Sequence, residues 1–273
     1  MDPTVNDEFL NKAEKAFRQI FNRAKEIDEL HFVLSLSPEF RPYCVNTALD
    51  AQDAFKDYYN FIQNNRESPI HARVSLAFYS HISEASGFWE VVKNMLNIID
   101  GNKYNMMPFL NLVKKYGEKE GSIAPNANKV MRAMMKYSKK LGCHELAEVF
   151  KDAFDADIRN GFAHADYALL EKGICISPRY KAERIVSWNE FQVLLHKAVN
   201  FHEVLKSVLS EHLSSYNPPK IVKGFLIDEE PESTYIVSYE PGGRFVIEGG
   251  IGYEPGAFNI LCQLKFLNIE HAV

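Results

Sequence analysis

Several signals are missing from this sequence, and each absence removes a class of protein. Only four cysteines occur, Cys44, Cys143, Cys175 and Cys262, and none forms a CxxC pair. That argues against a cysteine-rich zinc module and fits a reducing cytoplasm. No apolar run reaches the roughly 18 residues that suggest a membrane span. Residues Met1 to Leu10 are polar and acidic, so no secretory signal is expected there. There is no H-E-x-x-H pair, no Gly-Lys-Ser/Thr phosphate loop and no nucleophile elbow, so no metal or cofactor is expected. Nor is there an excess of positive charge: the formal net charge is −5.

The charge is unevenly placed, however. From Lys103 to Lys140 nine Lys or Arg face two Glu, a local charge of +7 that leaves −12 on the remainder. Such asymmetry marks either an anionic partner or a solvated helix face. Hydrophobic residues make up 46 %, enough for a sizeable core in one main domain with a small appendage.

Apolar spacing predicts helices for most of the chain. One covers about Asp7 to Leu30, and a loop at Ser35 to Pro42 precedes a second from Thr47 to Asn64. The longest stripe is Val74, Phe78, Ile82, Ala85, Trp89, Val92, Leu96 and Ile99, which predicts one helix with these side chains buried together. A short helix is expected from Met107 to Tyr116, with Gly117 to Pro125 leading onward. The next helix, Asn128 to Leu141, carries Val130, Met134, Tyr137 and Leu141 on its apolar stripe. Lys129, Arg132, Lys136 and Lys140 lie along its flank and far side, which makes them the candidate contacts for an anionic partner, and the candidate RNA-binding residues if that partner is RNA.

A helix predicted from His144 runs straight into Arg159. Beyond Tyr167, Gly173–Ser177 and Glu183–Val186 predict a hairpin. Ser187 with Glu190 offers a capping box for a last helix, Trp188 to about Leu213. Strands are expected at Thr234–Glu240 and Arg244–Glu248 around Pro241-Gly242-Gly243, and again near Asn259–Leu267. Gly249-Gly250-Ile251-Gly252 reads as turns between strands. The expected fold class is mainly α: a helical domain over 1–216, with its core at about 72–213, and a small β-rich appendage over 217–273.

One segment carries chemistry. Arg159-Asn160-Gly161-Phe162-Ala163-His164 places an arginine and a histidine five residues apart. Metal-independent RNA cleavage needs the 2′-hydroxyl deprotonated and the leaving 5′-oxygen protonated. Histidine suits both transfers, because a free imidazole titrates close to neutral pH. Arginine offers a permanent charge and a planar donor fork for phosphate oxygens. Asn160 can donate or accept hydrogen bonds for orientation.

This R-N-x-x-x-H pattern resembles the signature of the HEPN superfamily, over roughly Ala72 to Leu213. The resemblance implies a helical bundle, an endoribonuclease in toxin or antiviral defence systems, and Arg159, Asn160 and His164 as catalytic residues. It also implies a homodimer, because HEPN ribonucleases commonly build a composite site across a dimer interface. A cognate antitoxin or defence partner is a further expectation. A non-catalytic HEPN-like module that binds RNA, a nucleotide or a protein is the alternative. On an unbroken helix Arg159 and His164 would lie about 140° apart. Either Gly161 kinks the helix or two protomers pool their motifs. Asp157, Tyr167, His81 and Glu84 are candidate supporting groups, although His81 also reads as a packed core histidine.

Overall fold

Apolar side chains at three- and four-residue spacing bury one face of the first helix, α1 (Pro3–Ile27): Phe9, Ala13, Phe17, Ile20 and Ala24 are almost wholly buried. The computed structural model describes residues 3–37, 47–66, 70–115, 122–177, 182–240, 244–250 and 260–265. Eight further helices are found among them: α2 (Glu29–Ser35), α3 (Thr47–Asn64), α4 (His71–Ser83), α5 (Ser86–Ile99), α6 (Ala127–Lys140), α7 (His144–Ala153), α8 (Ala156–Ala163) and α9 (Trp188–Ser214). The chain is thus mainly α. None of the described helices is long and apolar enough to cross a membrane.

Three antiparallel sheets complete the fold. Strands β1 (Lys114–Lys115) and β2 (Ser122–Ile123) form a minimal pair. Strands β3 (Tyr167–Leu170), β4 (Gly173–Ile176) and β5 (Arg184–Ser187) follow α8 in the order β3-β4-β5. Strands β6 (Lys220–Gly224), β7 (Ser233–Glu240), β8 (Arg244–Gly250) and β9 (Ile260–Lys265) close the chain in sequence order.

Two apolar clusters hold these elements together. The larger joins α1, α2, α5, α6, α7 and the second half of α9. It also takes in Val222, Tyr235, Val237, Phe245 and Ile247 of the last sheet, so helices and sheet share one core. The smaller joins Leu76, Phe78, Tyr79 and Ile82 of α4 to Ile158, Ile174, Ile176, Val186 and Phe191. Phe55 of α3 and Phe154 pack against both.

Four expected helices come out differently. The one from Asp7 to Leu30 ends at Ile27, where Asp28 caps α2 and puts Leu30 in that second helix. The stripe from Val74 to Ile99 is two helices, broken at Glu84 and Ala85. Ala85 leaves the helical region at φ −67°, ψ 76°, and the Glu84 N–H closes α4 onto the carbonyls of His81 and Ile82. The turn sends Phe78 and Ile82 to the smaller core and Trp89, Val92 and Leu96 to the larger, so these residues are not buried together. Val74 is only half-buried.

The segment from His144 to Arg159 is likewise broken. Asp155 Oδ1 accepts from the N–H groups of Asp157 at 2.9 Å and Ile158 at 3.1 Å. This is an N-cap, and it starts α8 afresh. Between Met107 and Tyr116 the structure has a 3₁₀ turn at Leu110–Leu112 and then β1. Asparagine amides compete for the backbone there: Asn94 Oδ1 accepts from Asn105 N–H, and Asn105 Oδ1 from Met107 N–H.

The expected hairpin after the motif is the β4–β5 pair, with β3 added on its other side. The Ser187–Glu190 capping box is present at the start of α9. Strand β6 goes beyond the sequence reading, and Gly249 and Gly250 lie inside β8 rather than in a turn. Residues 38–42, 117–121, 241–243, 251–252 and 266–267, where parts of the loop, the connection, the turns and the last strand were expected, lie outside the described residues.

Candidate functional site

The motif occupies the short helix α8 and its C-terminal cap. Gly161 neither kinks nor breaks this helix. It allows a close approach instead: a Cβ there would stand 3.1 Å from both Cδ1 and Cγ2 of Ile176. The helix therefore seats flat on β4.

His164 is the C-cap of α8, and its N–H donates to Asn160 O at 2.9 Å. The chain then turns through Ala165 in the left-handed region, at φ 56°. Ala165 N–H donates to Phe162 O and Asp166 N–H to Gly161 O, which is a Schellman closure. Glycine is the usual residue at that left-handed position, since a Cβ costs about 1–2 kcal/mol there. Ala165→Gly should thus raise stability by about 0.5–1 kcal/mol in urea unfolding, after the added unfolded-state entropy is subtracted. A lower midpoint would show that the turn is held by something other than this closure.

Arg159 points the other way. Its side chain is 12 % exposed and forms an ion pair with Glu84, whose own side chain is 41 % exposed at the end of α4. The open end of the pair is therefore the carboxylate. Burial pulls the guanidinium below its ordinary pKa, but arginine stays charged at any working pH. A second nitrogen, Nη1, donates to Asn160 Oδ1 at 2.8 Å. The same oxygen accepts from Asn128 Nδ2 at 2.8 Å, and Asn128 lies at the start of α6. Glu84, Arg159, Asn160 and Asn128 thus form one chain of side chains, which does not include His164. The imidazole of His164 is exposed and has no partner among the described residues.

The supporting groups divide. Glu84 touches the motif directly. Tyr167 stacks near Phe162 and accepts at its hydroxyl from Arg73 Nη1 at 3.0 Å. Asp157 adds its field to Arg184, which donates to the capping Asp155 at 2.6 Å. His81 is not joined to the motif; it packs against Phe55 and Tyr58, and burial lowers its pKa. Its role in support of the motif is withdrawn in favour of the packed-histidine reading.

On α6, Arg132 and Lys136 are exposed, with no partner among the described residues. Lys129 Nζ is held by Leu112 O at 2.6 Å, and Lys140 is paired with Asp100 at 2.8 Å. The N-terminal end of this basic helix meets the motif through Asn128.

Asn128 was missed in the sequence reading. Its cue was a polar residue one turn before Met131 on a buried face, at 9 % exposure. Among the described residues, no group of three or more His, Cys, Asp or Glu is placed to hold a metal ion. Compared with protein-family models, with curated proteins and with solved structures, the chain matches none of them.

Proposed function

We propose that this protein is a HEPN-like endoribonuclease that cleaves RNA by attack of a ribose 2′-oxygen on the adjacent phosphorus. The P–O5′ bond breaks, leaving a 2′,3′-cyclic phosphate and a 5′-hydroxyl. His164 moves the protons, and Arg159 stabilises the extra negative charge on phosphorus. The observation that carries this reading is an exposed imidazole, unpartnered among the described residues, whose backbone caps the helix just beyond an arginine that is largely shielded from water.

Helix α8 runs unbroken from Arg159 to Ala163, with His164 as its C-cap, so no kink at Gly161 brings the two side chains onto one face. We infer that two copies pair and pool their motifs, the arginine of one serving the histidine of the other. The setting we propose is cytoplasmic, in toxin or antiviral defence, with a cognate antitoxin or defence partner. This setting rests on the resemblance alone.

RNA would run along α6. Arg132 and Lys136 are exposed cations of α6 without a partner among the described residues, so the double change Arg132→Glu, Lys136→Glu should flatten the dependence of log affinity on log salt. The expected change is roughly 0.7 for each phosphate of a single strand that is no longer neutralised. An unchanged slope and affinity would leave these residues a solvated face.

One observation favours the non-catalytic alternative: the Arg159 fork already holds Glu84 and Asn160. The deciding experiment is incubation of the purified protein with mixed RNA and EDTA, beside light scattering at micromolar concentration. Cyclic-phosphate ends from a dimer support the proposal. RNA binding without cleavage, with or without Mg²⁺, makes the binding module the better account. An active monomer defeats the composite site.

A further inference from the structure

We propose that Asn128 is a positioning residue that fixes Asn160 as a pure hydrogen-bond donor, its carboxamide NH₂ turned to an oxygen of the bound RNA phosphate. The inference rests on the ribonuclease reading for its ligand, and on geometry for its logic.

An asparagine amide has two faces, and its surroundings decide which is presented. Arg159 settles the matter for Asn160. A guanidinium has donors only, so the atom 2.8 Å from Arg159 Nη1 must be the carbonyl oxygen. Asn128 then has to offer a donor to that same oxygen, and its Nδ2 does so at 2.8 Å. Both lone pairs of Asn160 Oδ1 are now in use. What remains of the side chain is its NH₂ group, which has no partner among the described residues on a residue only half-buried.

Two consequences follow. Asn160 cannot accept a proton or orient the imidazole through its oxygen. It can only donate, and a phosphate oxygen is the acceptor that a donor beside an arginine suits. Asn128, at 9 % exposure, is too buried to reach the RNA itself and acts through Asn160. Being on α6, it also ties the start of the basic helix to the motif, so the phosphate track and the charge stabiliser keep one register.

The polarity can be inverted with little change of shape. Asn128→Asp sets a carboxylate oxygen against Asn160 Oδ1. Turning the Asn160 amide relieves that clash but places NH₂ against Arg159 Nη1, donor on donor. No orientation satisfies both neighbours. Asn128→Ala removes one donor and leaves Arg159 holding the amide, so its effect is smaller.

The test measures binding of a mixed-sequence 20-mer RNA with 2′-O-methyl riboses, which the enzyme cannot cut, and cleavage of the unmodified RNA. Asn128→Asp should weaken binding and raise KM by about 10- to 100-fold, the value of one hydrogen bond to a charged group. The pH dependence of kcat should not move, because His164 is untouched. Asn128→Ala should lose less on each count. Urea unfolding of Asn128→Ala, Asn160→Ala and the double variant supplies a readout that needs no RNA: the two single losses should fail to add. Asn128→Asp that binds and cuts like wild type overturns the inference, as do additive losses in the unfolding series. Wild type that neither binds nor cuts RNA overturns the ribonuclease reading and the assigned ligand, while the unfolding series still decides whether Asn128 holds Asn160.

Discussion

His164→Ala should slow RNA cleavage by about 10²- to 10⁴-fold and leave the protein folded. The rate loss is that of a general acid and base. The retained fold follows from placement: the imidazole is exposed and unpartnered among the described residues, and only the backbone of His164 takes part in the cap of α8. Its removal should shift stability by no more than about 0.5 kcal/mol. Arg159→Ala supplies the contrast. It should also abolish cleavage, and it should destabilise by about 1–3 kcal/mol, because Asn160 loses a charged donor and Glu84 its partner. The two measurements to compare are cleavage rate and urea midpoint. Should both variants unfold, the motif is structural; should His164→Ala retain full activity, the proposed chemistry is wrong.

Acid should weaken this protein before its carboxylates are protonated. His202 on α9 is 4 % exposed and packed among Phe55, Phe88, Trp89 and Phe201. Neither ring nitrogen has a hydrogen-bond partner among the described residues. Burial pushes this imidazole down to about 3; the Ile82 backbone opposes it, and the neighbouring His81 adds a smaller push downward. Burial likewise takes His212 down to about 4, between Phe21 and Phe32.

The folded values lie below the ordinary 6.5, so the unfolded chain takes up these protons first. The stability involved is fully present above about pH 6.5 and is lost as the pH falls from there toward 3. Each buried histidine can cost up to about 1.4 kcal/mol per pH unit in that window. His212 should give less, being only partly buried. Unfolding free energy measured from pH 7 to 4 should therefore fall with a slope of about two protons or more, since burial lowers His31 and His81 as well. His202→Phe should remove about one of them. A flat profile in the wild type, or an unchanged slope in His202→Phe, would mean that the ring reaches a partner when it is charged.

The sequence revealed some of this and hid the rest, for identifiable reasons. A capping box is a local pattern of two residues, and Ser187 with Glu190 could be read directly. Periodicity showed which residues of 74–99 face inward, yet it cannot distinguish one long helix from two. Both obey the same spacing, and the break at Glu84–Ala85 costs the stripe nothing. Asp155 caps a new helix, but the apolar spacing continues past it, so the spacing alone predicts one helix straight into Arg159. At the site, Arg159 and His164 were legible because their chemistry is unusual in that pairing. Asn128 was not, because its meaning depends on an oxygen 32 residues away in sequence. Glu84 is a candidate supporting group from the sequence, but spacing cannot say what it touches; the fold makes it the partner of Arg159.

The shared core has a consequence for how this chain is made. Helix α1 is buried against the far half of α9, with Phe17 on Phe201, and the same core is closed by the last sheet through Phe245 and Ile247. At about 5–20 residues per second, roughly 10–40 s of synthesis separate α1 from the residues that cover it. For that time α1 has only α2, α5 and α7 to pack against, and the side of Phe17 that meets Phe201 stays open. Helix α1 is thus made long before its burial is complete, so the nascent chain should be the most chaperone-dependent form of the protein.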